Sequence, residues 1–227
     1  MKADQNPFSS PALIASYAIE TPRRVPGLAD LHRMVTLLLS ERGPRAAHIL
    51  VVGAGGGLEL KAMAEAQPDW TFAGVDPSTA MLDLARQTVG SFANRIGLMQ
   101  GVVADAPLGP FDGATCLLTL HFLDRPERLK TLREIRRRLK PGAFLAVAHH
   151  SRPDGDNVER WLSRSVAFSD RTGSDHAMAA ASAATMAERL PILPAAEDEA
   201  LLRDAGFTDV SLFYAAFSFR GWVASAG

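Results

Sequence analysis

Apolar positions along the chain follow two rhythms. Leu28, Leu31, Val35, Leu38 and Leu39 recur at helical spacing up to Arg42, and Gly43–Pro44 stops that helix. Ile49–Val52 is an apolar run short enough to be a fully buried strand. Leu58–Ala66 returns to helical spacing and ends before Pro68. Thr71–Val75 then predicts a second strand, Ser78–Val89 a helix, Leu98–Val103 a third strand and Ala114–Leu118 a fourth. Leu129, Leu132, Ile135 and Leu139 mark an amphipathic helix closed by Pro141–Gly142, and Phe144–Ala148 predicts a fifth strand. The first 25 residues read as an irregular lead-in.

Strands alternating with helices predict a doubly wound, mostly parallel α/β sheet with right-handed crossovers. Ser151–Pro194 breaks the rhythm, being polar and alanine-rich, and reads as helices inserted over the sheet after its fifth strand. Ala195–Ala205 is a further helix ended by Gly206. Val210–Tyr214 and Phe217–Val223 lie so close that only a short turn can join them, which makes the pair antiparallel. The expectation is one domain over residues 1–227, with residues 1–45 as an N-terminal lid and helix and residues 151–194 as a helical cover for a substrate.

Composition narrows the function. At 227 residues, 47% of them hydrophobic, the chain can bury a sizeable core. It offers no run of about 18 apolar residues for a membrane span, and its first ten residues do not read as a secretory signal. A single cysteine, Cys116, sits in an apolar run and reads as core, which suits a cytoplasmic setting. No metal site is expected. A net charge of −1 gives no global attraction to nucleic acid. The basic run Arg133, Arg136, Arg137, Arg138 and Lys140 reads as the solvated face of a helix, and no aromatic residues interleave as base stacking would want.

The chemistry concentrates after the first strand. Gly53, Gly55 and Gly57 make G-x-G-x-G, with Ala54 inside it. In a doubly wound sheet, ligands bind beyond the carboxyl ends of the strands where the strand order reverses. A backbone without Cβ atoms lets the ligand approach closely, and the next helix presents free N–H groups there. A dinucleotide loop would read G-x-G-x-x-G, and its last position here is Leu58, so the loop fits a ligand without a pyrophosphate. Asp76 ends the second strand about 20 residues on, where an acid can accept from both ribose hydroxyls. Pro77–Ser78 opens a helix carrying Met81, an apolar cover for an adenine face. Ala104–Asp105 follows the third strand, with Asp105 placed to accept from an adenine amino group or, alternatively, to form a turn before Pro107.

The glycine loop, Asp76, Asp105, Phe111–Asp112 and Leu139-Lys140-Pro141-Gly142 occur in that order. This set resembles the class I S-adenosylmethionine-dependent methyltransferases over roughly Ala47–His149. The resemblance implies a seven-stranded Rossmann-like sheet with the last strand antiparallel. It implies S-adenosylmethionine as cofactor, with Gly53–Gly57 by its methionine part, Asp76 on the ribose, Ala104–Asp105 at the adenine, and Thr119 after the fourth strand also in the site. The family usually carries an acid two residues before the first glycine; here that residue is Val51.

Val25-Pro26-Gly27, Thr119–Leu123, Ala205-Gly206-Phe207 and Phe217-Ser218-Phe219 look like the carboxy-S-adenosylmethionine synthase branch, which uses prephenate. That likeness spans nearly the whole chain and implies a homodimer. Its site residues do not carry over. Leu28 stands where that branch has tyrosine, Leu117 where it has asparagine, and Ala184 where it has the arginine that meets the extra carboxylate. Arg171 or Arg189 can replace that arginine only if the backbone shifts.

Transfer of a sulfonium methyl group needs alignment, which can supply about 7–11 kcal/mol. A base helps with a hydroxyl or amine acceptor. The candidates are His121 after the fourth strand and His149 after the fifth, each with a structural role as the alternative; of His149 and His150, alternation sends only one inward. Tyr17 and Phe8 are candidates to close over the cofactor. Three functions follow: a methyltransferase acting on a small-molecule acceptor, a carboxy-S-adenosylmethionine synthase-like enzyme, and a non-catalytic protein that binds the cofactor or a partner.

Overall fold

The computed structural model describes residues 11–170 and 175–227. The strands are β1 (His48–Val52), β2 (Thr71–Asp76), β3 (Ile96–Gln100), β4 (Phe111–Leu117), β5 (Leu139–His150), β6 (Phe207–Ala216) and β7 (Phe219–Ala226). They form one seven-stranded sheet in the order β3-β2-β1-β4-β5-β7-β6. β1 pairs in parallel with both β2 and β4, so the order reverses between β1 and β4. β7 alone runs against its neighbours, β5 and β6. β1 and β4 are buried almost throughout, because both faces of the sheet are covered.

Alternation along the strands divides the core into two layers. Ile49, Val51, Leu117, Ala146 and Ala148 face α2 (Leu28–Arg42), α3 (Leu58–Ala66) and α4 (Thr79–Val89). Leu50, Val52, Cys116, Val147 and Trp222 face α5 (Arg125–Arg136) and α8 (Ala195–Asp204). α6 (Val158–Ser169) and α7 (His176–Arg189) form the expected insertion between β5 and α8. Among the described residues no helix is long and apolar enough to cross a membrane.

Three expectations need correction. Part of the lead-in is a helix, α1 (Pro11–Arg24), despite Pro22 in its last turn. Its half-buried Ile14, Tyr17 and Thr21 share one stripe, and α1 packs against α2, α4 and α6, so tertiary contact supplies what the local sequence lacks. Residues 1–10, including Phe8, lie outside the described residues. β3 starts at Ile96 and stops before Gly101, whose N–H donates to the Asp76 carbonyl at 3.0 Å. Leu139 is the first residue of β5, not the end of a helix. It lies i+4 from Ile135, so helical spacing continues into a strand that pairs with Phe111.

Candidate active site

The loop after β1 is fixed by close backbone contacts. Gly53 and Ala54 both donate N–H groups to the Val75 carbonyl, at 2.9 and 3.0 Å. Gly53 has φ 74°, and a Cβ there would lie 2.0 Å from Thr119 Oγ1. Thr119 is held in turn by donating to the Leu117 carbonyl at 2.9 Å. Gly57, with φ 79°, caps α3, and a Cβ on it would meet the backbone of Ala85 in α4 at 3.0 Å. Glycine at these two positions lets the ends of β1 and β4 meet at the point of strand-order reversal and lets the start of α3 pack on the body of α4.

Asp76 ties this loop to the next one. Its Oδ2 accepts from the Gly55 N–H and its Oδ1 from the Ser78 N–H, both at 2.9 Å. Each oxygen keeps a second lone pair for a ligand hydroxyl. Burial raises the Asp76 pKa, against the lowering effect of these two hydrogen bonds. Pro77 follows, and Ser78 caps α4 by accepting from the Met81 N–H at 3.3 Å. Met81 is buried, its Cε close over Gly55.

Ala104 and Asp105 lie exposed in a short turn after β3. Asp105 Oδ2 accepts from the Val102 N–H at 2.9 Å, so the turn-forming role is realised and the other oxygen remains for a ligand. The turn is clamped by Arg138, which is fully buried and donates to the carbonyls of Ala104 at 2.8 Å and Ala106 at 3.2 Å. The basic run is therefore only partly a solvated face. Arg138 is an internal clamp, and Arg136 donates to the Gly206 carbonyl at 2.8 Å.

The N-terminal helix reaches the loop. A Cβ on Gly56 would lie 2.6 Å from the Tyr17 ring, and one on Gly55 3.3 Å from the Tyr17 hydroxyl. Burial and the nearby Glu59 and Asp76 carboxyls push the Tyr17 pKa up to about 12. The space left among Tyr17, Thr21, Leu28, His32, Gly53, Ala54, Leu58, Glu59, Leu117 and Leu118 is about 20 Å³. That holds about one water molecule, so a nucleoside ligand over the glycines requires the Tyr17 ring to move. Leu118 has φ 56°, an uncommon conformation for a bulky residue at the mouth of this cleft.

The histidines sit beside the cleft in packed positions. His121 is buried in a turn after β4, against Phe122 and edge-on to His150 with ring centres 4.8 Å apart. Its Nδ1 accepts from the His150 backbone N–H at 3.4 Å. His149 faces the α5–α8 layer, with Nδ1 against the His150 carbonyl at 3.0 Å and Nε2 3.8 Å from Asp198. The residue turned toward the insertion is His150, whose Nδ1 lies 2.8 Å from Ser218 Oγ, itself bonded to Ser165 of α6. Desolvation lowers the pKa of all three, that of His150 to about 3 and that of His121 well below the usual value. Neutral, packed imidazoles fit a structural role more closely than that of a base.

These histidines make stability pH-dependent. His150 and His32, lowered to about 3 and about 4, stay neutral in the fold but titrate normally when unfolded. Their contribution is complete above pH 6.5 and is lost as pH falls through that value, at up to about 1.4 kcal/mol per unit for each group. Glu59, raised to about 8, acts oppositely between pH 4.5 and 8 and offsets one of them. The net loss from pH 6.5 to 5 is expected to be about 1–2 kcal/mol, read by urea unfolding at the two pH values. Equal stability at both would contradict it.

The sequence reading did not single out Glu59. Its signal was available: it occupies the buried stripe of α3 with Leu60, Met63 and Ala64. Nor did it find Arg128 and Asp198, a buried ion pair joining α5 to α8.

Comparison with known proteins agrees with this geometry. Residues 49–142 match the family described as "Methyltransferase domain". The chain is 25% identical over 218 residues to the carboxy-S-adenosyl-L-methionine synthase of Chromohalobacter salexigens, covering 93% of this chain and 80% of that protein. It is 22% identical over 206 residues to the synthase of that name from Campylobacter lari, covering 89% of this chain and 87% of the other. A solved structure of a candidate O-methyltransferase from Nostoc punctiforme superposes with a TM-score of 0.69 at 22% identity, over 96% of this chain. This chain spans only 61% of that structure's length. The match to a methyltransferase domain thus covers the strands and loops that build the glycine and Asp76 site. The chain shares its fold with the Nostoc punctiforme structure and with a solved S-adenosylmethionine-dependent methyltransferase, SibL, which superposes with a TM-score of 0.61 at 20% identity over 88% of this chain.

Proposed function

We propose that this protein transfers a methyl group from S-adenosylmethionine to a small-molecule acceptor. The observation that carries this reading is Asp76, one carboxylate binding both the glycine loop and the start of α4 where the strand order reverses. In this reading Gly53, Ala54, Gly55 and Gly57 line the methionine portion, and Asp76 accepts from the ribose hydroxyls. Pro77 and Met81 cover one adenine face, Ala104 and Asp105 meet its edge, and Thr119 closes the loop from β4. The residues align the sulfonium and exclude water; alignment is the main requirement of an in-line displacement. His121 follows β4 and His149 is the penultimate residue of β5, yet their packing leaves general-base catalysis without a geometric argument. Cys116, fully buried, suits a reducing cytoplasm. A homodimer belongs to the same proposal, and sedimentation velocity decides it.

The second reading, a carboxy-S-adenosylmethionine synthase, is favoured by similarity along almost the whole chain. An extra carboxylate on the cofactor needs a cation. Among the described residues the cleft lining contains Glu59 and neither arginine nor lysine. Arg189 is exposed at the end of α7, and Arg171 lies outside the described residues. Incubation with S-adenosylmethionine and prephenate, followed by mass spectrometry, is expected to return the cofactor without a carboxyl group. Appearance of the carboxylated form would reverse the order of the two readings.

A further inference from the structure

Glu59 is a carboxyl group in a place that disfavours charge. It lies in the first turn of α3, almost fully buried, and lines the cleft beside Gly53 and Ala54. Its Oε1 accepts a hydrogen bond from Thr115 Oγ1. Thr115 is the register partner of Val51, and α3 covers the face of the sheet on which Val51 lies. The carboxyl group is thus delivered by a helix to the strand position two residues before Gly53. Among the described residues no cation pairs with it. A carboxyl group buried without a cation costs stability, and its position on the ligand cleft gives that cost a purpose.

We infer that Glu59 is the counter-ion for a ligand ammonium group, the α-ammonium of the cofactor's methionine portion. This rests on the proposed use of S-adenosylmethionine. The titratable groups around it are Tyr17 on α1, His32 on α2 across the cleft and Cys116 on β4, none of them cationic at neutral pH. Burial keeps Glu59 protonated up to about pH 8. When an ammonium group arrives, the carboxyl loses its proton to the buffer and the ion pair forms.

The test uses S-adenosylhomocysteine, which keeps the ammonium and lacks the sulfonium charge, and 5′-methylthioadenosine, which lacks the amino-acid part. Calorimetry at pH 7 in buffers of different ionisation enthalpy should show release approaching one proton with the first ligand and none with the second. Glu59→Gln, nearly isosteric and able to keep the Thr115 bond, should abolish that release. It should also weaken S-adenosylhomocysteine about 10- to 100-fold and leave 5′-methylthioadenosine within twofold. The ligand-free variant should melt no lower than the parent at pH 8. Unchanged S-adenosylhomocysteine affinity and proton release, or equal weakening of both ligands, would overturn the inference while leaving the cofactor reading intact. Failure of both ligands to bind the parent protein would overturn the cofactor reading, and this inference with it.

Discussion

Asp198→Ala is expected to cost about 3–5 kcal/mol of folding stability, the range for removing one partner of a buried ion pair. Arg128 and Asp198 are both almost fully buried, and Arg128 Nη1 binds Asp198 Oδ1. Arg128 also donates to the Pro191 carbonyl at 2.9 Å, in the last residues of the insertion after α7. Two of the pair's buried atoms, Arg128 Nε and Asp198 Oδ2, have no hydrogen-bond partner among the described residues. Alanine at 198 would leave the guanidinium charged inside the α5–α8 layer beside His149. Domains of this kind are stable by roughly 5–15 kcal/mol, so the variant should lose about a fifth of the total or more. Urea unfolding measures it. A loss below about 1 kcal/mol would mean that the pair is solvated, as surface ion pairs are. The double change Arg128→Met with Asp198→Leu should recover most of the loss, since the charge then leaves with its partner.

Asp76→Ala is expected to weaken S-adenosylhomocysteine by at least about 100-fold. Two hydrogen bonds from ribose hydroxyls to a carboxylate are worth about 3 kcal/mol or more together, and 1.4 kcal/mol is tenfold in affinity. The substitution also releases the Gly55 and Ser78 N–H groups, so the loop loses its brace as well as its acceptor. Asp76→Asn separates the two effects. It keeps one acceptor oxygen and should retain more stability than affinity. Isothermal titration of both variants checks this, and undiminished affinity in Asp76→Ala would remove Asp76 from the ribose.

Most strands were legible because each apolar run is bounded by glycine, proline or a polar cap; their order in the sheet came with the structure. β1, α2 and α3 follow from spacing alone, with bounds that differ from the sequence reading by at most a residue. Where two periods share a residue, spacing loses its meaning: Leu139 continues the stripe of α5 yet belongs to β5. α1 was hidden for another reason, since its helix depends on packing against α6 and on placing Tyr17 over the glycines. The site divides the same way. Backbone-driven features such as Gly53, Gly57 and Asp76 announce themselves by residue type and spacing. Arg128, Arg138 and Asp198 look like surface charges in sequence, because their burial comes from the meeting of helices and turns remote along the chain. Alternation predicts that only one of His149 and His150 faces inward; both are buried, on opposite faces, because β5 is covered on each side.

Isothermal titration of the unmodified protein with S-adenosylhomocysteine tests the central claim most directly. Saturable one-site binding at micromolar affinity, lost when Asp76 is replaced, is the expected result. No measurable heat and no thermal stabilisation at millimolar ligand would contradict it, and the glycine loop would then need a different occupant.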